Sequence, residues 1–106
     1  MKLISLDFNM KSFDDQDVID IETQKPVHAA NYLAHVISQQ TKGDAVKLFG
    51  WAQQLSKKKQ LLLDKSDVKT LRSLVEEAPL SVVAKANLLE AIDNASTPKE
   101  SEDQAG

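Results

Sequence analysis

The sequence contains no cysteine, and this absence narrows the chemistry that the protein can perform. Disulfide bonds, thiolate nucleophiles and zinc sites built on cysteine are all excluded. On one helix, His28 and His35 would lie about 10 Å apart at ~1.5 Å per residue, which is too far to share a metal ion. We therefore expect no metal and no other cofactor, and we interpret both histidines as solvent-facing polar residues on one helix face.

Long apolar runs and short catalytic motifs are also missing. No stretch is long enough for a signal peptide or a transmembrane helix, so we predict a cytoplasmic protein that does not contact a membrane. The chain has no glycine-rich phosphate loop, no G-x-S-x-G elbow and no H-E-x-x-H pattern. The acidic turn of residues 14–17 lacks the glycine and the distal glutamate of a calcium-binding EF-hand. These absences predict a protein that is not an enzyme and has no small-molecule substrate.

The charges that are present are distributed unevenly. The chain has a formal net charge of -3, yet residues 1–22 hold two basic and six acidic side chains, whereas residues 42–72 hold eight basic and three acidic ones. Opposite charges at these two places attract each other, either within one molecule or between neighbours. With 42% hydrophobic and 27% charged residues, the composition is typical of a chain that folds.

The N-terminal residues predict a β-hairpin. Apolar and polar residues alternate from Ile4 to Lys11, which places the apolar side chains on one face of a strand. A turn over residues 12–17 leads into residues 18–22, where β-branched residues alternate with carboxylates. Because an isolated hairpin is barely stable in water, this strand pair (Lys2–Glu22) must pack on helices or on another chain.

Capping residues and apolar stripes predict a bundle of about four α-helices after the hairpin. Pro26 and Gly43 bracket the first helix, over residues 27–41. Residues suited to cap the next three helices at their N-termini are Asp44, Asp64 and Ser81.

The fold class that follows is α+β and mostly helical, with the hairpin packed on the helices. A single domain is predicted over residues 1–94, since no internal repeat and no second domain are visible. Residues 95–106 are small, polar and acidic, without apolar anchors. We expect them to form a disordered acidic tail.

Two of the predicted helices carry apolar residues outside an inward-facing stripe, which indicates a partner-binding surface. The stripe of the second helix includes Trp51, which we assign to the core. Three lysines end that helix, where the helix dipole favours cations. The apolar residues of the last helix surround much of its cylinder, as they do in a buried or an interface helix. The candidate partner-binding residues are Val46, Phe49, Gly50, Lys57, Lys58, Lys59, Val83 and Ala86.

These features favour an interaction or assembly protein that binds a protein partner or a second copy of itself. The exposed strand edge of the hairpin, the apolar last helix and the charge asymmetry all support this interpretation. The alternative is a small nucleic-acid-binding regulator that uses the basic segment 42–72. Nucleic-acid binders normally show a larger basic excess and a recognisable reading element.

The order of the elements resembles a known class of proteins. A strand pair is followed by the helical segments PVHAANYLAHVI and KGDAVKLFGWA, and then by two further helices that end in ANLLEAI. Over residues 1–94 this layout resembles small phage or prophage proteins, in particular the tail-assembly chaperones of long-tailed phages. The resemblance implies a protein that coats another phage protein, or associates with itself, while a tail is built. It implies no catalytic residues.

Overall fold

The computed structural model describes residues 1–96 and confirms the predicted fold class, α+β and mostly helical. Over this range there are four helices and one antiparallel pair of strands that includes the N-terminal strand. The predicted tail from residue 97 onward lies outside the described residues. No helix among residues 1–96 has the length and apolarity to cross a membrane. In chain order the elements are β1 (Lys2–Ser5), α1 (Ala29–Ser38), α2 (Ala45–Lys58), β2 (Gln60–Leu63), α3 (Lys65–Glu77) and α4 (Val82–Asp93).

The partner of β1 is β2, so the predicted pairing of the N-terminal strand with residues 18–22 is wrong. The two strands run antiparallel with Ile4 opposite Leu61, and both side chains are fully buried. Residues 18–22 have no comparable buried face, since Ile21 is 86% exposed. β2, which contains three leucines, is therefore the apolar partner of β1, in place of the predicted residues 18–22.

The chain between β1 and α1 is held by a local set of backbone hydrogen bonds. The amide of Val18 donates to the carbonyl of Met10 at 2.9 Å, that of Val27 to Val18 at 2.8 Å, and that of Met10 to Val27 at 2.8 Å. A single antiparallel bridge joins Lys11 and Asp17. The predicted turn at residues 12–17 therefore does return the chain, but without a continuous pair of strands behind it.

α1 begins at Ala29, later than predicted, because the N-terminal segment supplies its first hydrogen-bond partners. The amide of Ala29 donates to the carbonyl of Phe8 at 2.8 Å, and the amide of Ala30 donates to the carbonyl of Leu6 at 3.1 Å. The first amides of a helix lack partners within the helix. The residues that follow β1 satisfy them here and thereby fix the position of α1 against the sheet.

The core lies where the sheet meets two pairs of helices. α1 packs on α2, α3 packs on α4, and α4 also contacts β1. Trp51 is 4% exposed, which confirms its assignment to the core. The predicted N-caps are confirmed as well, since Asp44, Asp64 and Ser81 each accept a hydrogen bond from the amide three residues later. The largest fully buried side chains are Ile4, Leu6, Met10, Leu33, Ile37, Leu55, Leu61, Leu71, Leu88, Ile92 and Val75.

Ala95 and Ser96, which the sequence places in the tail, take part in the folded body. The amide of Leu3 donates to the carbonyl of Ser96 at 2.7 Å, and the amide of Ser96 donates back to Leu3 at 2.9 Å. Ala95 packs against the buried cluster. β1 therefore has β2 on one edge and Ser96 on the other.

We predict that removal of Ala95 and Ser96 destabilises the fold. A chain that ends at Asn94 loses both hydrogen bonds to Leu3, and at roughly 0.5–1.5 kcal/mol each the free energy of unfolding should fall by about 1–3 kcal/mol. Urea unfolding followed by circular dichroism measures the difference from a reference chain that ends at Ser96. Equal unfolding free energies for the two chains would contradict the role given to this pairing.

Two glycines, one in the connection between α1 and α2 and one within α2, lie in opposite environments. Gly43, in the connection, has φ +96°, and a Cβ added there would lie 3.3 Å from Leu48 Cδ1. Gly50, within α2, has no atom within 4 Å of an added Cβ. Only Gly43 is therefore required by the fold of this chain, because L side chains rarely adopt its backbone conformation.

We predict opposite effects for alanine at these two positions. Gly50→Ala should raise the free energy of unfolding by roughly 0.5–1 kcal/mol, because glycine weakens a helix interior. Gly43→Ala should lower it, because the backbone is left-handed there and Leu48 crowds the new methyl group. Thermal unfolding of both variants beside the wild type measures the two signs. A stabilising Gly43→Ala, or a destabilising Gly50→Ala, would contradict these assignments.

Candidate functional site

A groove lies between α4 and the N-terminal segment, and we call it the α4 groove. Its volume is about 740 Å³, within the range of pockets that hold a drug-sized ligand or a few large side chains. One wall is the outward face of α4, and the other is formed by β1 and the residues after it. The residues that line it include Phe8, Phe13, Asp15, Val82, Val83, Ala86, Asn87 and Glu90.

Asn87 joins the two walls of the α4 groove. Its amide nitrogen donates to the carbonyl of Lys11 at 2.8 Å and to that of Val83 at 2.8 Å. Its side-chain oxygen accepts from the amide of Lys11 at 2.9 Å. One side chain therefore satisfies both backbone groups of Lys11 and holds the N-terminal segment at a fixed distance from α4.

Two large apolar side chains of the α4 groove are exposed to solvent. Phe13 is 92% exposed and Val82 is 84% exposed. Phe13 lies in the turn that the Ser12 amide closes by donating to the carbonyl of Gln16 at 2.8 Å. Isolated exposed apolar residues are common on protein surfaces. These two line the same groove, which makes the groove a candidate binding surface.

The structure divides the predicted partner-binding residues between two surfaces. Val83 and Ala86 line the α4 groove. Val46 and Phe49, 84% and 64% exposed, lie on the outward side of α2 together with Gly50. α2 packs on α1 and β2, whereas α4 packs on α3 and β1. The two groups therefore do not form one continuous site on a single chain.

The three lysines at the end of α2 differ in their surroundings. Lys57 and Lys58 are exposed in the last turn of the helix. Lys59 is half-buried and adopts the left-handed conformation, with φ 59°, as the C-cap. Its carbonyl accepts from the amide of Leu6 at 2.9 Å. Lys59 therefore connects α2 to the sheet, and only Lys57 and Lys58 present their charges to solvent.

Two of the eight basic side chains of segment 42–72 are paired with carboxylates within the chain. Lys47 Nζ lies 2.9 Å from Asp67 Oδ1, and Arg72 contacts Asp93 at 2.9 Å and Glu76 at 2.8 Å. Hydrogen bonds to these carboxylates raise the pKa of Lys47 and of Arg72. The paired side chains are less available to nucleic-acid phosphates than the sequence alone suggests.

The two histidines do not share a helix face, which corrects the sequence interpretation. His28 precedes α1 and is its N-cap, with Nδ1 accepting from the Ala30 amide at 3.2 Å and Nε2 lying 3.0 Å from Asp7 Oδ1. His35 is exposed beside a shallow second concavity between α1 and α2. No group of three potential metal-ligating side chains occurs in the part of the chain that the structure describes.

Phe8, Phe13 and Val82 were not among the residues selected from the sequence. Val82 follows the Ser81 cap directly and lies outside the buried stripe of α4. The period of the helix could therefore have identified Val82 as an exposed apolar residue. Phe13 falls in the predicted turn of residues 12–17, although an aromatic residue among aspartates is itself unusual. The juxtaposition of Phe13 with α4 depends on the long-range contact of Asn87 with Lys11, which no local pattern contains.

No family model, no curated protein and no solved structure matches the chain. The function must therefore be inferred from the geometry of its own residues.

The ion pair between α3 and α4 leads to a prediction about acid sensitivity. Because the Arg72 guanidinium donates hydrogen bonds to it, the pKa of Asp93 lies below its ordinary value of 3.8. Such a carboxylate contributes fully to stability above its unfolded-state pKa, and the contribution is lost as pH falls through the lowered pKa. We predict that Asp93→Asn lowers Tm at neutral pH, and that the difference from wild type closes below the ordinary pKa.

Thermal unfolding from neutral pH to about pH 2 measures this convergence, which follows from the linkage of protonation to folding. Glu77→Gln is a suitable control, because the ion pairs among residues 1–96 do not include Glu77. A Tm difference for Asp93→Asn that stays constant throughout the acid range would contradict the assignment.

Proposed function

We propose that this chain is a non-enzymatic protein-binding protein with an assembly role, and that it binds its partner in the α4 groove. The observation that carries the proposal is the pair of exposed apolar residues, Phe13 and Val82, on one groove of about 740 Å³. A docked partner would remove both side chains from water. Full burial of a phenylalanine or valine side chain stabilises a complex by about 1.5–3 kcal/mol.

The side chains of the α4 groove favour a protein partner. Two large apolar side chains, Phe13 and Val82, are exposed in it beside polar and charged residues. The Asn87 side chain is already occupied by bonds to Lys11 and Val83. Apolar centres with polar rims are typical of protein interfaces.

The nucleic-acid alternative has less support. Two of the eight basic side chains of segment 42–72, Lys47 and Arg72, are engaged by Asp67 and Asp93, which reduces the number of cations available for phosphate binding. The tail-assembly chaperone role implied by the element order stays a prediction. The proposed groove does not depend on that resemblance, because the resemblance rests on the order of the elements, whereas the groove is defined by the positions of its lining side chains.

A photo-crosslinking amino acid at position 82 tests the proposed function. In a lysate of cells that naturally express the protein, we predict a discrete crosslinked protein band, whether the captured protein is a second copy or a different chain. Ala86→Arg should abolish the band, because a long charged side chain would occupy the middle of the groove.

The matched control carries the crosslinker at Lys69, an exposed residue of α3 outside the groove. Crosslinking of equal strength and pattern from positions 82 and 69 would contradict a specific groove. A band from position 82 that persists in Ala86→Arg would contradict it as well.

A further inference from the structure

A second apolar surface on the molecule has no partner within residues 1–96. It is the outward side of α2 formed by Val46, Phe49 and Gly50, which we call the α2 patch. Val46 is 84% exposed and Phe49 is 64% exposed. The α2 patch lies outside the α4 groove, none of whose lining residues comes from α2. A single copy of the chain therefore presents two separate apolar surfaces.

Gly50 gives the α2 patch a shape suited to close contact. A glycine inside a helix weakens the helix, and no neighbouring atom in this chain lies within 4 Å of an added Cβ. Packing within the chain therefore does not require glycine at this position. A glycine next to Val46 on this face of α2 lets the backbone of another element approach the helix while the side chains of Val46 and Phe49 project beside it.

The charges around the two surfaces are opposite in sign. Lys57 follows Val46 and Gly50 at spacings that place all three on one face of α2. The acidic residues of the α4 groove are Asp15 and Glu90. The ion pairs among residues 1–96 include none of these three charged residues. The one lysine in the groove lining, Lys11, is paired with Asp17.

We infer that the α4 groove receives the α2 patch of a second copy of this chain. Phe49 and Val46 then enter the groove beside Phe13 and Val82, and Lys57 approaches the acidic side chains of Asp15 and Glu90. This inference rests on the proposed function and names its partner. The contact covers the exposed apolar side chains of the α2 patch and the α4 groove and brings together their opposite charges.

The two surfaces are different, and this fixes the kind of assembly. A contact between unlike surfaces is heterologous. In a dimer formed by this contact, one copy retains a free α2 patch and the other retains a free groove, so further copies can add until a ring closes. A symmetric dimer of two α2 patches would instead leave the grooves exposed and would bring together only basic rims. The two arrangements make different predictions for mixtures of variants.

Two variants, each blocked at one surface, test the inference by light scattering. Phe49→Glu removes the α2 patch but keeps the groove, and Ala86→Arg blocks the groove but keeps the α2 patch. Both positions are exposed, and circular dichroism with thermal unfolding verifies that each variant folds. The wild-type mass should rise with concentration, each variant alone should stay monomeric, and their equimolar mixture should reach twice the monomer mass and stop.

Lys69→Glu, on α3 outside both surfaces, is the matched control and should assemble as the wild type does. Lys57→Glu should weaken assembly roughly two- to tenfold at low salt, because it replaces an exposed attraction with a repulsion, and Glu90→Lys in the same chain should restore it. Added salt should weaken wild-type assembly, because it screens charges at the rim of the contact.

Three results would overturn the inference. They are a wild type that stays monomeric at every concentration, a mixture of the two blocked variants that stays monomeric, and blocked variants that still assemble on their own. If the wild type stays monomeric but position 82 still captures a different protein from the lysate, this inference fails and the proposed function stands. If position 82 captures nothing and the wild type is monomeric, both fail.

Discussion

The fold depends on how the N-terminal segment satisfies its backbone while it lies in the core. Ile4 and Leu6 are fully buried, so the polar groups beside them need partners within the protein. β2 supplies one set, the first amides of α1 supply a second, and Ser96 supplies a third. One extended segment therefore organises the sheet, the start of α1 and the end of the described chain.

This arrangement also explains the position of the groove. The segment after β1 continues to Met10, is held there by Val27, and is then joined to α4 through Asn87 and Lys11. The turn that carries Phe13 is thereby placed opposite the outward face of α4. The candidate binding site is thus a consequence of long-range backbone pairing at the N-terminus.

Local rules account for the features that the sequence predicted well. The helix caps formed by Asp44, Asp64 and Ser81 were predictable because the cap interaction spans only three residues. The burial of Trp51 was predictable because it lies on the inward stripe of α2. The partner of β1 could not be predicted in this way. Apolar and acidic residues alternate in residues 18–22, as they do in a strand. No local pattern shows that the leucines of β2, far along the chain, pack better against Ile4.

The same distinction applies to the candidate site. Helix periodicity identified Val46, Phe49, Val83 and Ala86 as residues outside the inward stripes, but it could not show that only the last two share a surface with Phe13. The roles of His28 and Lys59 were missed for a related reason. Their contacts with Ala30, Asp7 and Leu6 join segments whose proximity is set by the tertiary fold.

The most direct test of the central claim is methyl NMR of the wild-type chain over a concentration series. If the α4 groove and the α2 patch meet between copies, the methyl signals of Val82 and Val46 shift together as concentration rises. The methyl signals of Val75, which is fully buried, stay in place and report an unchanged core. Signals of Val46 and Val82 that do not move at any concentration would contradict the account.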